Sequence, residues 1–420
     1  MMTLMALPLF LVLLALSMPI GYALLGASSL GIVLSDSYPL SIVAQRFFDA
    51  TQSSLLLAIP FFILAGELLI AGTLGQRIVH FAGLLVGRVR GALGQVSVVT
   101  SMLFAGVSGS AVADASALGS VLIPWQKREG YPAPFAAAVN AASSVIGVII
   151  PPSIPLIVYS SVSRVSVGAL FLAGIVPGLI FGGASLAAVY LMARRGRFPR
   201  SEQPFAIGPV VRGFIASLPA LLMPGIVLGA LIGGIATPTE ISVVAVFYAL
   251  AVRLAYRDLT LRGLLDSVLS AGQATGAVML LIMASSVLGW IMTVDRLPSQ
   301  LVALIESMGL ADVLVVLFMN LLMLVVGAVI DMTPAILLLA PIMIPLAESI
   351  DMSLIQLGIM MVLNLAIGLF TPPVGTTLFI SSSIAGVRIE QTVRALVPFY
   401  ILALLVLMLV SYVPALFPNG

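Results

Sequence analysis

Hydroxyl side chains gather at four short interruptions in the long apolar segments of this sequence. They are Ser108, Ser110, Ser153, Thr333, Thr371, Thr376 and Thr377. An interrupted helix at membrane depth leaves backbone N–H and C=O groups that protein, water, ions or a ligand must satisfy. The N-terminus of a half-helix suits a carboxylate, and its C-terminus presents carbonyls that suit a cation. These residues therefore predict a site for an organic anion and a cation.

Four carboxylates also lie within the apolar segments, namely Glu67, Asp114, Glu240 and Asp331. An acid at the membrane centre costs about 2.5–3.5 kcal/mol on insertion scales, so each one predicts a function or a buried partner. The sequence places no Lys or Arg at comparable depth. Compensation must then come from water, backbone donors, protons or a hard cation such as sodium, which prefers oxygen ligands.

The four acids differ in what their positions predict. Asp331 lies beside Thr333 at an interruption, which favours a cation role over a helix cap. Asp114 follows Ser110 and fits a cation role or a first-turn acid stabilised by a helix N-terminus. Glu240 fits an ion-linked role or a cap of the half-helix that follows it, and Glu67 favours a structural role.

The composition indicates a membrane protein with many spans. Of 420 residues, 61% are hydrophobic and 8% are charged, against about a quarter charged in soluble domains. The chain has no Cys and a single His, His80, which excludes disulfides, Cys-based metal sites and His-paired nucleophiles. Met1 to Ser17 lacks a basic region and predicts a first spanning segment rather than a signal peptide.

The interruptions recur in the second half of the chain at one constant spacing, called here the repeat offset. The repeat offset takes Gly106 to Gly327, the pair Ile146-Gly147 to Ile367-Gly368, and Pro151-Pro152 to Pro372-Pro373. An isolated Ser or Thr in a membrane helix usually bonds to its own backbone. At breaks related by duplication, a transport site is the better interpretation, because paired Pro-interrupted segments mark such sites.

The predicted fold is an all-α polytopic membrane protein built from two inverted repeats, residues 1–193 and 214–420. Each repeat has a re-entrant helical hairpin, at about 92–124 and 313–348, and a Pro-Pro-broken helix, at 134–161 and 354–382. A basic linker, 194–213, is predicted to be cytoplasmic. With both termini outside, all of the 18 Lys and Arg residues except Arg46, Arg164 and Arg296 face inward, as the positive-inside rule requires.

At its most specific motifs the chain resembles the large, DctM-type membrane subunit of tripartite ATP-independent periplasmic (TRAP) transporters. The motifs run from Ser108 to Asp114, Gly147 to Pro155, Ala236 to Glu240 and Thr371 to Gly375, and the resemblance covers essentially the whole chain. It implies sodium-driven import of an organic acid across the bacterial inner membrane, with an elevator movement of a hairpin-bearing core. It also implies a DctQ-type small membrane subunit as a separate chain and a DctP-type periplasmic binding protein.

The resemblance further implies roles for individual residues. Substrate contacts are expected at Ser108, Pro152, Ser153 and Thr376, and sodium sites at Ser110, Gly147, Asp331, Thr333, Gly368 and Thr371. Sodium is then a coupling ion, and no cofactor is expected. Many relatives carry Thr after the Asp of the first motif, where this chain has Ala115.

Two other functions fit parts of the pattern. One is a stand-alone sodium/dicarboxylate or citrate symporter, which would need no binding protein. The other is an intramembrane enzyme that uses Asp114 and Asp331 as an acid pair, since neighbouring acids shift each other's pKa. The Gly-x-Gly-Asp segment expected of such a protease is missing at both positions. No nucleotide-binding motif or nucleic-acid signature is present, and the sequence leaves the identity of the organic acid open.

Overall fold

The computed structural model describes residues 2–36, 38–70, 73–86, 89, 91–196, 198 and 206–417, and every regular element in this part is helical. The first-half helices are α1 (Met2–Ala15), α2 (Ile20–Ser35), α3 (Ser41–Asp49), α4 (Ala58–Ile70), α5 (Thr73–Val86), α6 (Ala92–Ser108), α7 (Ala111–Arg128), α8 (Ala133–Ser144), α9 (Ile154–Ser163) and α10 (Val167–Arg195). The second-half helices are α11 (Ile207–Ile232), α12 (Pro238–Ala255), α13 (Leu261–Val294), α14 (Leu297–Ser307), α15 (Asp312–Val329), α16 (Met332–Glu348), α17 (Leu354–Gly368), α18 (Thr376–Ala385) and α19 (Ile389–Tyr412).

Six described helices are long and apolar enough to cross a membrane, namely α10, α11, α12, α13, α15 and α19, and a seventh span results if α3 and α4 are taken together. The prediction of an all-α, multi-pass membrane protein is therefore confirmed. Helices α8 and α9 have 12 and 10 residues. At about 1.5 Å per residue, each covers roughly half of a hydrocarbon core about 30 Å thick.

The helix bounds follow the repeat offset closely. It takes the bounds of α6 to within one residue of those of α15, and it relates α7 to α16 and α9 to α18 in the same way. Helix α7 runs through Pro124 to Arg128, past the predicted hairpin end at 124. The basic residues Lys127 and Arg128 favour a helix C-terminus at this later point. The predicted linker, 194–213, lies partly outside the described residues.

The two halves interlock. Helix α12 packs against α4, and its counterpart α2 packs against α13. Helices α1–α4 and α11–α13 are here called the frame. Helices α6–α10 and α15–α19 are called the core, in which α7 packs against α18 and α16 against α9. Each hairpin therefore contacts the half-helix that follows the break in the other half, which brings the interruptions of both halves into the core.

Candidate functional site

The first hairpin turns at Gly109, where φ is +61°, a conformation that Gly adopts without strain. Ser110 is the N-cap of α7, and its hydroxyl accepts a hydrogen bond from Ala113 N at 3.4 Å. Ser108 Oγ accepts one from Ser110 N at 3.3 Å. The predicted substrate and cation residues Ser108 and Ser110 thus lie side by side at the tip.

Asp114 is fully buried in the first turn of α7. The Ser108 hydroxyl is a polar neighbour of its carboxylate, but neither carboxylate oxygen has a hydrogen-bond partner of standard geometry among the described residues. Gly147 lies directly against it, and a Cβ added at Gly147 would overlap Asp114 Oδ2. A buried charge without a partner is strongly unfavourable. A cation held by oxygen ligands would compensate it, so the residues present fit a sodium ion.

The first break is joined to this tip. Ile154 N, at the start of α9, donates a hydrogen bond to Gly109 O at 3.4 Å, and a Cβ on Gly109 would lie 2.7 Å from Pro152 O. Ser153 is fully buried; its hydroxyl donates to Val148 O and accepts from Leu156 N as the N-cap of α9. Pro152 therefore contacts the tip of the first hairpin. The Ser153 hydroxyl instead forms its hydrogen bonds with the backbone on either side of the first break.

A small cavity of about 100 Å³ separates this tip from the frame. Glu67 of α4 lines it together with Ser108 and Ser110, and Ala274 and Val278 of α13 also contribute to the lining. In the same region, a Cβ on Gly66 would lie 3.0 Å from Val107 O. The structure thus places Glu67, for which the sequence favoured a structural role, beside the predicted site.

The second break is built in a similar way. Gly368 packs so closely against Gly327 of the second hairpin that a Cβ there would overlap the Gly327 backbone. Val374 N donates to Ala328 O at 3.1 Å. Thr371 Oγ1 donates to Ile367 O at 2.7 Å. Gly368 therefore lies against the second hairpin, while the Thr371 hydroxyl bonds back to its own helix.

Asp331 and Thr333 lie at the tip of the second hairpin, where Asp331 is the N-cap of α16. The Asp331 side chain makes no standard N-cap hydrogen bond, although its carboxylate interacts with the backbone N–H of Met332, the first residue of α16. Thr333 is 8% exposed. The helix-cap alternative for Asp331 thus lacks the usual hydrogen bond to the second or third residue of the helix.

Thr376 lines an open cavity of about 450 Å³ between the halves, together with Val112 of α7 and Pro373, Val374, Phe379 and Ile380 of the second half. Its Oγ1 atom is buried and has no hydrogen-bond partner in the part of the chain that the structure describes. The next hydroxyl, that of Thr377, lies 2.9 Å from Leu369 O and 3.1 Å from Ala141 O. Of the two hydroxyls, that of Thr376 is therefore the one left without a partner among the described residues.

Glu240 lies outside this group. It is exposed, and its carboxylate accepts hydrogen bonds from Thr237 N at 2.7 Å and Thr237 Oγ1 at 2.8 Å. With the return bond from Glu240 N to Thr237 Oγ1, these form a capping box at the start of α12. The geometry favours the cap over an ion-linked role.

One polar residue at the site was not among those predicted. Asn140 of α8 is 2% exposed, and its side-chain amide donates to Ala115 O at 2.9 Å and to Ser381 Oγ at 2.8 Å. The signal in the sequence is its position as an amide within the run Ala136 to Ala142. A polar residue among small residues of a membrane helix commonly bonds to a neighbouring helix.

Comparisons with known proteins bear on the whole chain. Residues 7–416 match the family model described as "Tripartite ATP-independent periplasmic transporter, DctM component". The chain is 47% identical over 416 residues to the uncharacterized protein y4mL of Sinorhizobium fredii, covering 99% of both chains. It is 36% identical to the 2,3-diketo-L-gulonate TRAP transporter large permease protein YiaN of Escherichia coli, covering 96% of this chain and 95% of YiaN.

A solved structure shares the fold. The crystal structure of the YdaH transporter of Alcanivorax borkumensis, described as having an unusual topology, superimposes with a TM-score of 0.61 at 14% identity. The match covers 91% of this chain and 88% of that one. At this identity the likeness concerns the architecture alone.

Proposed function

The chain belongs to the DctM component family of tripartite ATP-independent periplasmic transporters, and from that membership we propose a sodium-coupled permease subunit that imports an organic acid. The family resemblance inferred from the four motifs is confirmed. The protein is thus a multi-pass transporter subunit and not an enzyme, which removes the aspartyl-enzyme alternative. Large permeases of this family work with a small membrane subunit and a periplasmic binding protein, which disfavours a stand-alone symporter.

The observation that carries sodium coupling is the Asp114 carboxylate, fully buried and without a hydrogen-bond partner of standard geometry among the described residues. The repeat offset takes Asp114 to Ala335, and it takes Ser110 to Asp331. Each hairpin therefore has one acid near its tip, in the first turn of α7 and at the N-cap of α16. One acid at each tip suits one monovalent cation at each tip.

The Asp114→Asn variant tests this proposal. Purified permease is reconstituted with its small subunit and binding protein, and uptake is driven by an imposed sodium gradient. The substrate is the organic acid that a thermal-shift screen identifies for the binding protein. We expect Asp114→Asn to lower uptake at least about tenfold, because loss of one charged ligand typically costs more than about 1.4 kcal/mol.

The matched control is Asp266→Asn, which changes an exposed acid of α13 and should leave uptake unchanged. Full sodium-driven uptake by Asp114→Asn would refute the cation role of this residue. If uptake by the parent protein did not depend on the sodium gradient, sodium coupling as a whole would be refuted.

An organic anion is supported by the half-helix N-termini. Helices α7 and α18 begin at Ala111 and Thr376 and pack against each other across the halves. Their first-turn N–H groups carry a partial positive charge that suits a carboxylate. Thr376 adds a hydroxyl without a partner among the described residues. The substrate named for YiaN is a sugar acid derivative, which is consistent with this chemistry.

The contacts between frame and core support an elevator movement. In the first half α4 packs against α6, whereas in the second half α13 packs against α16. The repeat offset relates α6 to α15 rather than to α16. The core therefore packs asymmetrically against the frame. If the first hairpin took the packing now seen at the second, and the second took the packing now seen at the first, the protein would reach a second state built from equivalent residues.

The expected orientation is supported by a cavity of about 320 Å³ between frame and core. Its lining includes Asp49, Val162 and Thr293, which are close in sequence to Arg46, Arg164 and Arg296. The three basic residues predicted to face outward thus lie near one cavity. This arrangement suits a periplasmic face, with both termini periplasmic and the protein in the inner membrane.

A further inference from the structure

We propose that Asn140 is a positioning residue that transmits cation binding at the first hairpin to the N-terminus of α18 in the other half, a role that rests on the proposed sodium coupling. Asn140 lies between the two places. Its side-chain amide bonds both to Ala115 O, the residue after Asp114, and to Ser381 Oγ on α18.

The contact with the first hairpin is close. A Cβ on Gly119 of α7 would lie 2.6 Å from Asn140 Nδ2, so the amide fits against α7 only because residue 119 has no side chain. The Asn140 contact falls within one turn of the buried Asp114 carboxylate. A change in the first turn of α7 when a cation binds therefore changes the position of an acceptor for Asn140.

The contact with α18 is double. Asn140 holds Ser381, and the adjacent carbonyl, Ala141 O, lies 3.1 Å from Thr377 Oγ1. Residues four positions apart lie on the same face of a helix. One face of α18 thus lies against α8 at Ser381 and at Thr377, although the single hydroxyl proton of Thr377 is nearer to Leu369 O, at 2.9 Å. Thr376, which begins α18, is the neighbour of Thr377.

The hydrogen bonds of Asn140 to α7 and α18 have no counterpart at the equivalent positions of the second half. The repeat offset takes Asn140 to Met361, which has no amide, and relates Ser381 to Ser160, whose hydroxyl donates to Val165 O. The second hairpin therefore has no equivalent link to α9 through these positions. The proposal assigns this cross-half coupling to the first hairpin and α18.

Because the chain contains no Cys, single-cysteine reporters can test the coupling with sodium chloride as the probe and choline chloride as its substitute. Ala113→Cys reports on the small cavity at the first hairpin. Thr376→Cys reports on the open cavity at α18. The rate of maleimide labelling is measured for each reporter in the full-length permease with its small subunit.

Sodium should change the labelling rate at both reporters in the parent protein, by about fivefold, the lower end of usual coupling between sites. With Asn140→Ala added, the sodium effect should persist at position 113 and fall below about 1.5-fold at position 376. Ser381→Ala, which keeps the bond to Ala115, should reduce the effect at position 376 in part and serves if Asn140→Ala does not fold.

The matched control is Gln356→Ala. Gln356 is a buried amide, 3% exposed, that donates to Val410 O and Ser411 O, and its loss should leave the sodium effect at position 376 intact. An undiminished effect in Asn140→Ala and Ser381→Ala would overturn this inference alone. No sodium effect at position 113 in the parent protein would instead count against the proposed function.

Discussion

Thr376 is the first residue of α18, and its hydroxyl oxygen is buried without a hydrogen-bond partner among the described residues. A buried polar atom that stays unsatisfied costs about 1–3 kcal/mol. Thr377 N and Leu378 N of the first turn already donate to Leu369 O. A ligand carboxylate that accepts from the Thr376 hydroxyl would remove that cost. We therefore expect Thr376 to contact the substrate.

Replacing Thr376 with Val keeps the shape of the side chain and removes the hydroxyl. We expect the half-saturating concentration of the loaded binding protein in uptake to rise about tenfold, because one hydrogen bond to a charged group contributes roughly 1.5 kcal/mol. Uptake assays with the reconstituted system measure this change.

The control for Thr376→Val is Thr392→Val. Thr392 is fully buried in α19, and its hydroxyl lies 2.9 Å from Ser382 Oγ, away from the start of α18. A rise in the half-saturating concentration that is equal in both variants would point to a general effect of losing a buried hydroxyl. Such a result would argue against a substrate contact at Thr376.

The residue types in the sequence predicted where polar groups gather. They did not show which of these groups are already hydrogen-bonded within the protein. The spacing of Thr237 and Glu240 matches a capping box and could be read from the sequence. That Thr371 bonds back to Ile367 O, whereas Asp114 finds no partner of standard geometry among the described residues, depends on side-chain positions in the packed core. The untested roles of Gly147, Gly368 and Thr333 in sodium sites stay predictions.

At the scale of elements, the loop from α12 to α13 ties the second half to the first. Arg253 is 3% exposed and bonds to Asp258 through Nε and Oδ1 at 3.3 Å. The other oxygen of Asp258 accepts from Thr73 N at 2.7 Å and from Thr73 Oγ1 at 3.0 Å. The start of α5 is thus held by a loop of the second half.

Burial on its own raises the pKa of Asp258, but hydrogen bonds from Thr73 and Arg253 outweigh it and hold the pKa below its ordinary value. Since the folded pKa is the lower one, this contribution to stability is fully present above the unfolded pKa of about 3.9. It is lost as the pH falls through the folded pKa.

We therefore expect Asp258→Asn to destabilise the protein by about 2 kcal/mol at pH 7, because it removes hydrogen bonds to a charged group and leaves Arg253 buried without its counter-charge. Thermal unfolding in detergent at pH 7 and at pH 3 measures the effect. The difference from the parent protein should shrink at pH 3. A difference that stays constant across this range, or that also occurs in Asp266→Asn, would contradict the role of the Asp258 charge.

The repeat offset predicted the helices and their order but not their continuity. It relates α3 and α4 of the first half to the single 34-residue helix α13 of the second. The chain bends by 63° between Gln52 and Ser54, within the run Thr51-Gln-Ser-Ser54, whose short polar side chains compete with helical hydrogen bonds. The polar residues from Tyr256 to Asp266 predict an arm before the crossing helix of the second half, yet α13 already begins at Leu261.

At the scale of the whole molecule, the packing of frame against core is what a single sequence could not predict. Duplication predicts equivalent elements, and equivalent elements alone would pack alike. In the structure, Gly66 of α4 lies against Val107 of the first hairpin. In the second half, Ser285 of α13 and Leu337 of α16 both line the cavity of about 320 Å³ between frame and core. The repeat offset relates Gly66 and Val107 to Val287 and Ala328, so exchange of the two arrangements brings Val287 and Ala328 together.

This exchange predicts two crosslinks that exclude each other. In the naturally cysteine-free chain, a short bifunctional thiol reagent should join Ser285→Cys to Leu337→Cys in the state described here. It should join Val287→Cys to Ala328→Cys in the exchanged state. Either crosslink should abolish uptake, because it fixes core to frame, and a cleavable reagent should restore uptake after cleavage. Mass spectrometry of the labelled protein measures the yields under conditions that favour each state.

A crosslink within the frame is the control for the crosslinks between frame and core. It shows whether uptake is lost because the core is immobilised or only because the protein has been modified. A Cβ on Gly26 of α2 would lie 3.8 Å from Leu13 Cδ1 of α1, so Leu13→Cys and Gly26→Cys can be joined without crossing between frame and core. This crosslink should leave uptake unchanged if the frame stays fixed while the core moves. Full uptake with Ser285 and Leu337 positions joined would instead require transport without relative movement of frame and core, and the asymmetric packing would then be a static property of the fold.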